Sequence, residues 1–265
     1  MPDYIRYGLV ALIVLLTHVQ EAITGFGCTV LALPFVTLLL GLDVAVPVLV
    51  FQAWVLVLYI VIVSRKNMVW KEYGHIVILM GLGLPVGIWM SQSMPEAQLK
   101  WVLAAFMVGI GIQGLVRQYR NIQMPSKISP KTRRLASLFI PLGGIIHGAF
   151  GSGGPLVVIY ATRALTEKSL FRVTLCMVWL TVNTILLGQW VVMPLLDHRI
   201  ATRITPEVLY LSALFLPFTV VGTLMGDKAH HRIDEDLFRK IVYFVLAAAG
   251  IVLAWSLILE VRGSA

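Results

Sequence analysis

Residues 44–63 are twenty consecutive positions without one charged side chain. Wound into a helix at about 1.5 Å per residue, such a run covers about 30 Å, the thickness of a bilayer's hydrocarbon core. Runs of this character recur along the chain, and they fix the solvent in which it can fold. Only 13% of the residues are charged and 58% are hydrophobic, with a mean hydropathy of +0.88. A soluble domain carries about 25% charged residues. Too little polar surface remains here to cover a water-facing globule, so the chain reads as an all-α, polytopic integral membrane protein.

The net charge of +8 therefore takes a membrane meaning. Lys and Arg collect in cytoplasmic loops and meet the anionic inner leaflet. No solvated patch interleaves basic and aromatic residues, so nucleic acid is not expected as a partner. The two cysteines, Cys28 and Cys176, both lie in apolar runs, and their number and spacing exclude a disulfide framework or a CxxC metal site. The basic-then-apolar opening looks like a signal peptide, but His18, Gln20 and Glu21 stand where a small-residue cleavage site belongs, so it reads as a retained first segment.

Ten helical segments are marked by the apolar runs: 5–23, 28–40, 44–63, 74–90, 99–116, 135–149, 155–166, 170–196, 207–226 and 237–259. Two of them, 28–40 and 155–166, are too short to cross alone, and each follows a glycine-rich break. Sliding the chain by 124 places Phe26-Gly27 on Phe150-Gly151 and Asp43 on Glu167. Gly87 and Met90 then match Gly222 and Met225 after a small insertion. This internal similarity divides the chain into a first membrane repeat (1–116), a basic linker (117–134) and a second repeat (135–265), together forming one integrated transmembrane domain.

Charge orients the segments. If each short segment returns the chain to the side from which its predecessor entered, loops 64–72, 117–134, 163–172 and 227–240 share one face. That face holds 16 of the 21 Lys and Arg, although 227–240 also carries four acids. The other face keeps Arg6, Lys100, Arg199, Arg203 and Arg262. The rich face, linker included, is then cytoplasmic. With five segments in each half, the two repeats are expected to be inverted, each containing a broken, re-entrant helix. The competing arrangement, a single crossing at each break, places more of the second-half charge outside.

An unsatisfied backbone N–H or C=O costs several kcal/mol in lipid. The stretches "TGFGCT" and "FGSGGP" are therefore expected to face protein or a wet cavity. A helix starts past each break, with Thr24, Cys28 or Thr29 as candidate caps for the first and Ser152 for the second; Pro155 falls near the second's first turn. Helix starts present free N–H groups and partial positive charge, and glycine lets a ligand approach them closely. Two such starts converging from opposite sides make an anion site without lysine or arginine. The plainer role of glycine, tight helix crossing, is assigned to "GLGLPVG" (81–87) and "GIGIQG" (109–114) instead.

Two stretches, "GFGCTVLALPFVTLLLGLD" (25–43) and "HGAFGSGGPLVVIYATRAL" (147–165), give the chain a further meaning. Through them it resembles the sulfite exporter TauE/SafE family of membrane permeases over nearly its full length. The resemblance implies secondary transport of sulfur-containing anions such as sulfite and sulfonates across the bacterial inner membrane. It does not fix the coupling ion.

The candidate substrate-binding residues are Thr24, Gly25, Phe26, Gly27, Cys28 and Thr29 at the first break, and His147, Phe150, Gly151, Ser152, Gly153 and Gly154 at the second. Gln52 and Asn183 join them as uncharged donors in the segments that follow, against the alternative of interhelical hydrogen bonding. Glu21 and His147 are the candidate proton carriers. Glu21 has the alternative of reaching water or pairing with His18, and His147 of bonding an exposed carbonyl. Cys28 reads as a buried thiol, His18 as structural, and Trp54 and Trp179 as packing, with gating as the alternative for both tryptophans. His230-His231 lacks metal-site spacing.

The sequence thus points to a multi-pass permease of the bacterial inner membrane, with a small anion and lipid as partners, no cofactor and no metal. A homo-oligomer is left open. The rival functions are an anion channel, an intramembrane enzyme and a scaffold subunit. An enzyme is not expected, since only His147 with Ser152 approaches a nucleophile–base pair and no acid partner is visible.

Overall fold

The computed structural model describes residues 2–120, 130–165, 167–197, 202–229 and scattered positions from 244 to 258. No strand occurs among the described residues. Their helices are α1 (Asp3–Thr24), α2 (Cys28–Leu40), α3 (Leu42–Ser64), α4 (Trp70–Ser93), α5 (Glu96–Tyr119), α6 (Pro130–Ser137), α7 (Phe139–Phe150), α8 (Gly154–Ala164), α9 (Lys168–Leu196) and α10 (Pro206–Ala229). Six of these helical stretches are long and apolar enough to cross a membrane, while α2 is apolar but too short. Leu16, Ile62, Ile78, Leu82 and Leu209 point outward, as lipid-facing side chains do.

One expected segment is divided. Residues 135–149 fall into α6 and α7, which part at Leu138. Pro141, in the first turn of α7, has no N–H to give to the carbonyl of Ser137, so the helix cannot run through. The amide of Leu138 instead makes a tighter bond to Leu135 O, 3.2 Å. Residues 121–129 of the linker, the pair His230-His231 and most of the segment 237–259 lie outside the described residues.

Packing follows the glycines. On α4, a Cβ added at Gly83 or Gly87 would collide with the α7 backbone at Pro141 and Ile145. On α10, Gly222 and Gly226 press in the same way against Leu15 and Val19 of α1. α4 with α7 and α10 with α1 are the most extensive helix contacts. Within each pair the two helices run side by side in the same direction. The long helices α3 and α9 meet between these pairs.

Polar side chains gather at two opposite ends. At one end Arg133 pairs with Glu72 and also donates to the Tyr160 hydroxyl. Arg172 pairs there with Asp227, which accepts from Tyr59 at 3.4 Å, and Val69 N donates to Thr174 Oγ1 at 3.1 Å. At the other end Arg203 lies 3.7 Å from Asp43 and donates to Ser91 O at 2.8 Å, while Glu96 accepts from Leu42 N at 3.1 Å. From its break, α2 leads to the Asp43 end and α8 to the Arg133 end.

Candidate functional site

The first break is held by its own side chains. Gly25 caps α1 in the left-handed region (φ 85°), and its N–H donates to Glu21 O at 2.6 Å. Glycine is required there twice over, since a Cβ would also strike the Arg172 backbone. The carbonyl of Phe26 accepts from Gln20 Nε2 at 2.8 Å and from Thr24 Oγ1 at 3.0 Å. Trp179 Nε1 donates to Gly25 O at 2.9 Å. The Cys28 amide, first in α2, donates to Glu21 Oε2 at 2.6 Å. These bonds satisfy several of the backbone groups that the break sets free, as burial in lipid demands.

The caps expected for α2 are therefore corrected. Neither Thr24, Cys28 nor Thr29 caps it. Its N-cap is Gly27, without a side-chain cap bond, and the carboxylate of the preceding helix takes the cap's place. The Thr24 hydroxyl is engaged with Gln20 O and Phe26 O instead.

The second break repeats the frame with other chemistry. Gly151 caps α7 in the left-handed region (φ 63°), and its N–H donates to His147 O at 2.7 Å. The N-cap of α8 is Gly153, again without a side-chain cap, and Pro155 stands in the first turn as expected. Ser152 is not the cap, because it precedes that position by one residue. Its Oγ is buried and has no hydrogen-bond partner. The Gly153 amide approaches His147 Nδ1 at 3.5 Å, and His147 Nε2 lies 3.0 Å from Asn183 Oδ1. With Nδ1 accepting, Nε2 carries the proton and donates to Asn183.

Both breaks open onto one cavity. Its walls are Glu21, Gly27, Thr29, Val30 and Ala53 on one side, and His147, Gly151, Ser152, Gly154, Trp179 and Asn183 on the other. About 300 Å³ of space lies free of protein atoms there. The cavity suits a compact guest. Among the described residues, no lysine or arginine lines it.

A model of the family described as "Sulfite exporter TauE/SafE" matches residues 10–253. The chain belongs to that family. It is also similar to the probable inner membrane transporter protein TsaS of Comamonas testosteroni, 24% identical over 183 residues that cover 69% of this chain and 71% of that protein. No solved structure matches. With six crossing-length helices among the described residues, this TauE/SafE member is a multi-pass transporter of the inner membrane.

Not every candidate of this permease reaches the cavity. Glu21, Gly27, Thr29, His147, Gly151, Ser152, Gly154 and Asn183 line it. Thr24, Gly25 and Phe26 build the first break behind it, and Phe26 sets its ring edge-on to Phe171. Phe150 is fully buried in the core, and Gly153 caps α8 against Gly143 O and His147. Cys28 is also fully buried, its Sγ 3.7 Å from Thr29 Oγ1. Gln52 is turned elsewhere, donating to Ser212 O and accepting from Thr219 Oγ1, each at 2.7 Å. It clamps α3 to α10. His18 stays structural, donating from Nδ1 to Val14 O at 2.7 Å.

Trp179 lines the cavity although the sequence marked it as packing. Its ring stacks on His147, centroids 5.9 Å apart, while its N–H holds the first break. The available signal is its spacing four residues before Asn183, which sets both on one face of α9.

Proposed function

We propose that this permease carries a small sulfur-containing anion, such as sulfite or an organosulfonate, across the bacterial inner membrane by alternating access. The anion binds in the cavity between the starts of α2 and α8. One observation carries this reading: Ser152 lines the cavity and its buried hydroxyl has no partner among the described residues, beside the open first turn of α8. Buried polar groups are almost always paired, and a helix start is a ready anion site. The lack of cationic side chains suits a carrier, which must release its cargo.

The wider reading is two inverted repeats, residues 1–116 and 135–265, joined by a cytoplasmic linker at 117–134. Several facts support it. α1 with α10 and α7 with α4 make matching glycine-packed pairs. α2 and α8 leave their breaks toward opposite ends. The end holding Arg65, Lys66, Arg133 and Arg172 is the basic, cytoplasmic one. Transport is coupled to a proton, with Glu21 and His147 as its candidate carriers.

The test is a melting screen of the purified protein with sulfite, sulfate, thiosulfate, taurine and sulfoacetate, followed by flux in vesicles. A bound anion raises the melting temperature by mass action, and carrier flux saturates. If no anion shifts the melt, the site is wrong. If flux rises without saturation, the protein is a channel.

A further inference from the structure

Glu21 of α1 reaches across the first break to the start of α2. It lines the cavity, it is buried, and its Oε2 takes the first amide of α2 at 2.6 Å. That short bond fills one helix start with an oxygen of the protein's own carboxyl group. The other helix start shares the cavity and leaves a buried hydroxyl, Ser152 Oγ, without a partner. An oxyanion held in this cavity would lie close to the Glu21 carboxyl group that lines it.

We infer that the Glu21 carboxylate is a tethered competitor of the substrate: it holds the Cys28 amide while the site is empty, and yields that amide to an incoming oxyanion by taking up one proton. This deepens the proposed anion site and rests on it. The step balances. One proton from water joins Glu21, and one N–H···O bond passes from the carboxylate to a substrate oxygen. For a monovalent sulfonate the net charge of the cavity is unchanged, so anion and proton enter and leave together.

The titratable groups around Glu21 leave it this role. Cys28 on α2 and Cys176 on α9 are fully buried thiols. Arg172 on α9 is paired with Asp227 of α10, which also engages Tyr59 of α3. On α1 itself, His18 gives its Nδ1 proton to Val14 O. His147 across the cavity has Nδ1 facing the Gly153 amide and Nε2 bonded to Asn183. Neither ring nitrogen is open to a proton without breaking a contact.

The experiment uses full-length protein in detergent, with methanesulfonate and sulfate as probes, because both keep their charge between pH 5 and 8. Above the pH at which Glu21 loses its proton, wild-type affinity for methanesulfonate should fall about tenfold per pH unit, as one linked proton requires. Calorimetry in buffers of different ionisation heat should show close to one proton taken up per anion there. Glu21→Gln still offers an oxygen to the Cys28 amide. It should bind the anion with affinity constant within about twofold across that range and take up no proton. A flat wild-type profile without proton uptake overturns the inference, and so does a steep profile that survives Glu21→Gln. If neither probe binds wild-type protein at any pH, the anion site itself fails, and the inference with it.

Discussion

The two breaks share a backbone and differ in what fills them. In each, a left-handed glycine returns its N–H to the carbonyl four residues earlier, Glu21 in one and His147 in the other. The side chain of that same residue then reaches the start of the next helix. At the first break it is a carboxylate with a 2.6 Å bond; at the second it is a neutral imidazole at 3.5 Å. One helix start is closed by a carboxyl oxygen, and the other is left half satisfied beside a hydroxyl without a partner among the described residues. The same turn thus leaves a helix start closed or partly open, depending on one residue a turn upstream.

The harshest way to break the comparison is Gly153→Val. Its Cβ would collide with the Gly143 carbonyl, and overpacking of this kind costs about 3 kcal/mol, a fall in Tm of roughly 6–12 °C by thermal melt. A Cβ at Gly154 would make only ordinary van der Waals contact, with Phe26 nearest at 3.7 Å. Gly154→Ala should melt with wild type, which would show that the second break tolerates bulk only on its cavity side.

Next come the amides of the long helices that follow each break. Gln52→Leu strips two buried hydrogen bonds and should cost about 1–3 kcal/mol of stability, with anion affinity unchanged. Asn183→Leu should weaken anion binding, since it removes a cavity donor and frees the imidazole. Equal effects of the two on affinity would erase the distinction between clamp and site.

Ser152→Ala sharpens the contrast further. Loss of a hydrogen bond to a charged guest is worth about 1.5–3 kcal/mol, roughly tenfold or more in Kd by titration. Removing an unpaired buried hydroxyl should not lower the Tm. The smallest effect is expected from Trp179→Phe, which keeps a ring on His147 but leaves Gly25 O unpaired. It should cost about 1 kcal/mol, a Tm shift of roughly 2–4 °C.

Much of this was legible in the sequence. The short helix 28–40 has the bounds expected of it, because Gly25, Gly27 and Gly41 punctuate an apolar run. The tight-crossing role of Gly83 and Gly87 was legible from their spacing. The register between the halves was not. Matching Phe-Gly pairs suggests an offset of 124, whereas the capping glycines Gly25 and Gly151 lie 126 apart. Phe26 stands inside its break, while Phe150 still belongs to the helix before the other, so the identical pairs are not equivalent positions. Gln52 was left between two readings, cavity donor and interhelical bond, for a different reason. Its partners lie some 160 residues away on α10, and no local pattern announces a contact that only packing creates. Glu21 was marked by charge at membrane depth, but its acceptor role depends on the turn bringing Cys28 back over the end of α1.

The glycine-packed pairs also bear on how the molecule can rearrange. Where backbone rests on backbone, as between Gly87 and Ile145 or Gly226 and Val19, no soft layer of side chains remains to shear. α1 with α10 and α4 with α7 should therefore travel as two stiff pieces. If the two pieces slide, the slip plane is expected elsewhere, along the seam where α3 meets α9.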